Sequence, residues 1–226
     1  KMKEEIMGAR DAEILKDVRD HFQMDDRLKD TDIEVEVQDG VVKLSGHMPN
    51  SLVRDAARTD AWKVPGVKKV KDELKITYPP EVTILPDEQL RSNIQTLLEM
   101  NAGIDTGLLD VKVTDGIVTL EGTVDSFWKK IRAEEIVLES MGVLDVINKI
   151  AVVPTKEFRD EQIAGDIVNA LGKDLTVDPD KIDVTVEDGV VTLVGSVFSG
   201  PMMVSVLNTV KYTAGVRDII NLLEVE

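Results

Sequence analysis

The stretch "VEVQDGVVKLSGH", residues 35–47, recurs as "VKVTDGIVTLEGT" from Val111 and as "VTVEDGVVTLVGS" from Val184. The three copies extend well beyond the motif and align without a gap. Asp11, Asp87 and Asp160 stand at one constant spacing ahead of Gly40, Gly116 and Gly189, and Gly66, Gly142 and Gly215 stand at one constant spacing behind them. Fixed internal spacing of this kind means one supersecondary unit used three times. All variation in length falls between units, the interval from Gly40 to Gly116 being slightly longer than that from Gly116 to Gly189. The first connector, "TYPPEVTILP", is Pro-rich and semi-stiff; the second, "PTKEFR", is shorter.

Each unit reads as helix, hairpin, helix, strand. The first helix carries Ile14, Val18 and Phe22, matched by Leu90, Ile94 and Leu98 and by Ile163, Ile167 and Leu171, an i, i+4, i+8 stripe. Ile33, Val35 and Val37 then alternate with Asp32, Glu34 and Glu36, the period of a strand with one buried face. Asp39-Gly40 supplies the positive-φ pair of a two-residue type I′ turn, which sets Val37 against Val42 and Val35 against Leu44. Val41, Ile117 and Val190 point outward beside the turn, a position suited to packing between units but also ordinary for single exposed apolar residues. A second helix over 50–63 ends at Pro65-Gly66, where glycine accommodates a left-handed backbone. A third strand follows in "VKKVKDELKI", "VLDVINKI" and "VRDIINLLEV". The fold class is α+β: three tandem α-β-β-α-β units, each a small three-stranded mixed sheet with two helices on one face.

Composition sets limits on function. With 42% hydrophobic residues but only 4% aromatics, each unit fills a thin core with aliphatics, and packing between units is expected. No apolar run reaches the length of a bilayer span, roughly 18 residues or more. Cysteine is absent, so disulfides, thiolate metal sites and cysteine nucleophiles are excluded together. The formal net charge of −16 argues against nucleic acid as a partner. Acidic residues outnumber basic ones by 15 to 12 over residues 11–77, 12 to 6 over 87–153 and 12 to 4 over 160–226, so basic character is concentrated in the first two units. Neither histidine recurs: His21 stands where the other units have Leu97 and Ala170, and His47 where they have Thr123 and Ser196. No nucleophile triad or phosphate loop is present, and "DPDKID" lacks the glycine and terminal glutamate of a calcium loop. Neither catalysis nor a cofactor is expected.

The helix, the Val-x-Val-x-Asp-Gly-Val-Val-x-Leu-x-Gly hairpin, the second helix, and Val-x-Gly-Val followed by Asp72, Asn148 or Asn221 resemble the BON domain, named for bacterial osmotically inducible and nodulation proteins. The resemblance spans residues 10–77, 86–153 and 159–226, which are the expected domain boundaries. It implies a non-catalytic role in binding phospholipid membranes or supporting the cell envelope under osmotic stress. Some members of the family belong instead to cytoplasmic proteins that sense potassium or another small ligand. The family points to the periplasm or envelope, whereas a natural start at Met2 points to the cytoplasm, and no signal peptide is visible at "KMKEEIMGARD".

The shared residues are aliphatics and turn glycines, so specific function is sought where the copies differ. Unit two opens its second helix with Phe127 and Trp128 beside Lys129, Lys130 and Arg132, an aromatic pair with cationic neighbours suited to an anionic lipid surface; the alternative is that Trp128 packs against another unit. Unit one has a basic row, with Lys68, Lys69 and Lys71 at its centre and Lys63 and Lys75 flanking it. That row contacts anionic lipid or offsets the acidic strand beside it. Unit three has a second helix that is apolar nearly all round, including Met202, Met203, Val204 and Leu207. Another unit, a second copy of the chain or a protein partner is expected to cover it. The function expected is lipid-associated envelope support, with a soluble scaffold binding a protein partner, or a small-ion sensor, as alternatives.

Overall fold

The computed structural model describes residues 2–77, 85–174 and 177–226, with side chains from residue 8. Most of the Pro-rich connector therefore lies outside the described residues, as do the side chains around Met2.

The first repeat runs α1 (Met2–Met24), β1 (Ile33–Gln38), β2 (Val41–Met48), α2 (Ser51–Lys63) and β3 (Lys69–Ile76). The second runs α3 (Asp87–Glu99), β4 (Leu109–Thr114), β5 (Ile117–Val124), α4 (Phe127–Leu138) and β6 (Asp145–Val152). The third runs α5 (Asp160–Leu171), β7 (Ile182–Glu187), β8 (Val190–Val197), α6 (Gly200–Lys211) and β9 (Asp218–Val225). Each sheet has the middle strand of its repeat at the centre, in the orders β1-β2-β3, β4-β5-β6 and β7-β8-β9.

The sheets are mixed because the hairpin forces an antiparallel pair and the second helix forces a parallel return. Asp39 and Gly40 have φ of 55° and 78°, both in the left-handed region that a type I′ turn requires. The turn fixes the register, Val37 against Val42 and Val35 against Leu44. The return strand β3 lies parallel to β2, with Val41 opposite Lys69 and Met48 opposite Ile76, and β6 lies on β5 in the same register. Two backbone bonds close each return: Lys68 N–H to Gly40 O and Thr77 N–H to Met48 O in the first repeat, with equivalents in the other two. Gly66, Gly142 and Gly215, each at φ 91°, make the bend that aims the chain back.

The helix stripes enter the cores as the period predicts. Ile14, Val18 and Phe22 pack with Val35, Val42, Leu44, Val53, Ala57 and Leu74 in the first core. Leu90, Ile94 and Leu98, and Ile163, Ile167 and Leu171, are buried in the same way. Each such side chain contributes roughly 1.5–3 kcal/mol on removal from water. Val41, Ile117 and Val190, expected outward, are half-buried, as is His21. The chain forms two compact units. One is Lys1–Tyr78 with Gly195–Ser205 and Leu223–Glu226; the other is Pro79–Val194 with Val206–Leu222.

Candidate functional site

The start of α4 brings together most of the distinctive chemistry of the second repeat. Asp125, just before the helix, accepts from Ser126 Oγ at 2.8 Å and from Lys129 Nζ at 2.8 Å. The Lys129 ammonium first, and the Ser126 hydroxyl second, hold the Asp125 carboxyl below its ordinary range. Lys129 Nζ also sits 5.7 Å from the Trp128 ring centroid, within cation–π reach. Lys130, the next residue, makes no side-chain ion pair among the described residues, and Arg132 pairs with Glu135 at 3.2 Å.

Trp128 is half-buried, and it has a partner that no local pattern announces. The Tyr212 ring lies 6.3 Å away at 31°, and a Cβ on Gly103 would meet the Trp128 Cη2 at 3.0 Å. Lys211, next to Tyr212, bonds Glu135 at 3.0 Å and lies 5.6 Å from the Tyr212 ring. Trp128, Tyr212, Arg132, Glu135, Lys211 and Ile104 enclose an open cavity of about 230 Å³. The site thus has aromatic walls, cations at its rim and one carboxylate shared between Arg132 and Lys211.

Phe127 departs from the sequence-based expectation. Instead of joining Trp128 in an exposed pair, it is 8% exposed. Its equivalents explain this: Ser51 in the first repeat is 9% exposed, and Gly200 in the third is buried so closely that a Cβ would overlap the Trp62 carbonyl oxygen. The first position of the second helix is buried in every copy, whatever residue stands there, and in the third repeat it is Trp62 of the first that covers it. Trp128 and the cations are what the second repeat presents.

In the first repeat Lys63, Lys68, Lys69, Lys71 and Lys75 are all exposed. Lys63 pairs with Asp60 at 2.6 Å; the other four make no side-chain ion pair among the described residues. The sheet order corrects the idea that this row offsets an adjacent acidic strand. The acidic strand β1 is separated from β3 by β2, and the residues opposite Lys69, Lys71 and Lys75 are Val41, Lys43 and His47. Lys43, at 3.6 Å from Glu36 and 3.4 Å from Glu73, takes the nearby acids instead.

On α6, Met203 is 7% exposed, which removes it from any outward partner surface. Met202 and Leu207 are half-buried and Val204 is 41% exposed. Packing within the chain accounts for much of this helix's apolar character, since Val206 and Val210 are fully buried.

Asp11, Asp87 and Asp160 show a role that their spacing alone did not reveal. Each carboxylate accepts both N–H groups of its Asp-Gly turn. Asp11 accepts from Asp39 at 2.9 Å and Gly40 at 3.0 Å, Asp87 from Asp115 at 2.9 Å and Gly116 at 3.1 Å, and Asp160 from Asp188 and Gly189 at 2.9 Å. On the return strands, Asp72 accepts from Leu74 N–H and pairs with Arg54, while Asn148 accepts from Ile150 N–H and donates to the Lys130 carbonyl. Among the described residues no group of three or more His, Asp or Glu is placed to hold a metal ion, and no helix is long and apolar enough to cross a membrane.

A family model agrees with this repeat architecture. The family model of the BON domain matches residues 10–78, 86–154 and 159–226. The osmotically-inducible protein Y of Escherichia coli strain K12 is 34% identical over 128 residues, which are 55% of this chain and 64% of that protein. An uncharacterized protein in the gshII 5′ region of Anaplasma centrale is 31% identical over 118 residues, 50% of this chain and 78% of that one. Among solved structures, CdsD, a structural protein of the type III secretion system of Chlamydia trachomatis, aligns over 93% of this chain and 91% of that one, with 16% identity and a TM-score of 0.26.

Proposed function

The chain belongs to the BON domain family, and from that premise we propose that its three units, over 10–77, 86–153 and 159–226, make a non-enzymatic module that associates with anionic phospholipid at the cell envelope during osmotic stress. The observation that supports this best is the half-buried Trp128, paired with Tyr212, with Lys129 over its ring and Arg132 and Lys211 lining the same cavity. An indole suits the headgroup boundary while cations reach lipid phosphates. Lys68, Lys69 and Lys71, exposed and without ion pairs among the described residues, give the first repeat a separate electrostatic contact worth roughly 1 kcal/mol per lysine at an anionic surface. The similarity to an osmotically inducible protein supports the physiological setting.

Flotation with vesicles of phosphatidylcholine, alone or mixed with phosphatidylglycerol, tests this reading. Binding is expected only with the anionic lipid and is expected to fall on raising salt, because the attraction is screened. Equal absence of binding to both vesicles contradicts it.

A second reading, docking of a protein partner or a second copy on the third repeat, is favoured by Val194, Ile220 and Leu222. These lie on the helix-free side of the sheet at 45%, 46% and 56% exposure. Val204, with the half-buried Met202 and Leu207, adds a smaller apolar contribution on α6. Sedimentation of the wild type against L222E checks it: a wild type that is monomeric at all concentrations removes the second-copy form.

A further inference from the structure

The Asp-Gly turns of the first and third repeats each border an open cavity built from equivalent residues. In the first, Arg10, Asp11, Ile14, Gly40, Gly66 and Lys68 line about 170 Å³. In the third, Arg159, Asp160, Ile163, Gly189, Gly215 and Arg217 take the same places around about 260 Å³, joined by Lys156 and Phe158. The long stems of the cations lie across the glycines. Lys68 Cγ is 3.1 Å, and Arg217 Cγ 3.0 Å, from where a Cβ would stand on Gly40 and Gly189; Arg10 Nε is 3.6 Å from the corresponding point on Gly66.

The second repeat keeps the turn and loses the cations. Pro86 and Leu144 stand where the other repeats have Arg10 and Lys68, or Arg159 and Arg217. Leu144, 5% exposed, lies 2.8 Å from the Cβ position of Gly116, and Leu85 approaches that of Gly142 at 3.5 Å. Leu144 thus stands where the stem of Lys68 or Arg217 lies in the other two repeats, and Leu85 stands where the third repeat has Phe158.

The acids at these cavities serve the fold. Asp11 and Asp160 commit both carboxylate oxygens to turn N–H groups. Asp39, Asp115 and Asp188 all adopt positive φ, so the turn itself requires them, including in the repeat without cations. Glu161 is left, in the cavity that also has the third cation, Lys156. Each of these two cavities has a pair of cationic side chains, and those of Arg10, Lys68, Lys156, Arg159 and Arg217 make no ion pair or hydrogen bond among the described residues.

We propose that these two cavities are binding sites for the phosphate group of a small ligand or lipid headgroup, and that the second repeat, without the cations, does not share the site. A guanidinium with a second cation close by suits a doubly charged anion with several acceptor oxygens better than a single carboxylate. The proposal does not rest on the membrane contact of Trp128.

Amide resonances of the isotope-labelled full chain, titrated with inorganic phosphate at constant ionic strength, test it, alongside a titration with phosphatidylcholine vesicles containing phosphatidic acid. Saturable changes at residues 39–40 and 188–189, with 115–116 silent, are expected. Their appearance with inorganic phosphate identifies a soluble phosphate ligand; their appearance with the vesicles alone identifies a headgroup. K68Q should weaken the response at Gly40 by about tenfold while leaving Gly189 unchanged, and R217Q should do the reverse, as expected for one lost charge-assisted bond. Silence in both titrations, equal changes at all three turns, or no local effect of either substitution overturns the proposal.

Discussion

A carboxylate that closes a turn far along the chain is the residue that most firmly ties the first helix of each repeat to its hairpin. Asp87 accepts Asp115 N–H at 2.9 Å and Gly116 N–H at 3.1 Å, and D87A leaves both donors without it. Replacing such an acceptor costs about 1–3 kcal/mol, and D87N, which keeps one oxygen, should cost less; urea unfolding monitored by circular dichroism measures both. The second glycine of the motif has a different role from the first. Gly122 has φ 119° and faces the Leu108 carbonyl so closely that a Cβ would overlap its oxygen. Because backbone cannot yield as a side-chain tip can, G122A should cost about 3 kcal/mol or more, whereas G8A, inside α1 where nothing stands near, should stabilise by up to about 1 kcal/mol. The recurring glycines were legible in the sequence as markers of one repeated unit. The overlap at Gly122 was not, because it depends on the strand opposite.

At the scale of elements, α4 joins the second repeat's charges to the end of α6. Glu135 shares its carboxylate between Arg132 and Lys211, and the Lys211 side chain is only 16% exposed. E135A therefore leaves a largely buried ammonium without its acid and should lower the melting temperature more than E139A, whose side chain is exposed. Asp125 adds a pH dependence. Its carboxyl, held below the ordinary value of 3.8 by Lys129, contributes stability that is present above pH 3.8 and is lost as pH falls through the folded-state value. The stability difference between wild type and D125N should be constant from neutral pH down to about that point and then narrow, as acid titration of the melting temperature would show. Helix stripes and strand alternation were readable because their periods are local. The Trp128–Tyr212 pair was not, since its members are far apart in sequence and belong to different repeats. The burial of Phe127 was equally hidden, because its equivalents, Ser51 and Gly200, are not apolar and the alignment carries no sign that the position is covered.

For the whole molecule, three BON units with one architecture differ in what they leave outside their cores: lysines without acid partners among the described residues in the first, an aromatic and cationic helix start in the second, apolar sheet residues in the third. Triplication fixes the fold and frees these surfaces to diverge, which is why the repeat identified the family and said little about the site. If the lysine row and Trp128 act separately, K69E/K71E should weaken vesicle binding and its salt dependence together, while W128A weakens binding and leaves the salt slope nearly unchanged. The most direct measurement places Trp128 itself. In a W62F background shown to melt like the wild type, Trp128 is the sole tryptophan, and its emission is followed with vesicles containing phosphatidylglycerol and brominated lipid. A blue shift with quenching by bromine near the headgroup, absent with phosphatidylcholine alone, is the predicted result; unchanged emission and no quenching at saturating anionic lipid contradicts the membrane-contact account.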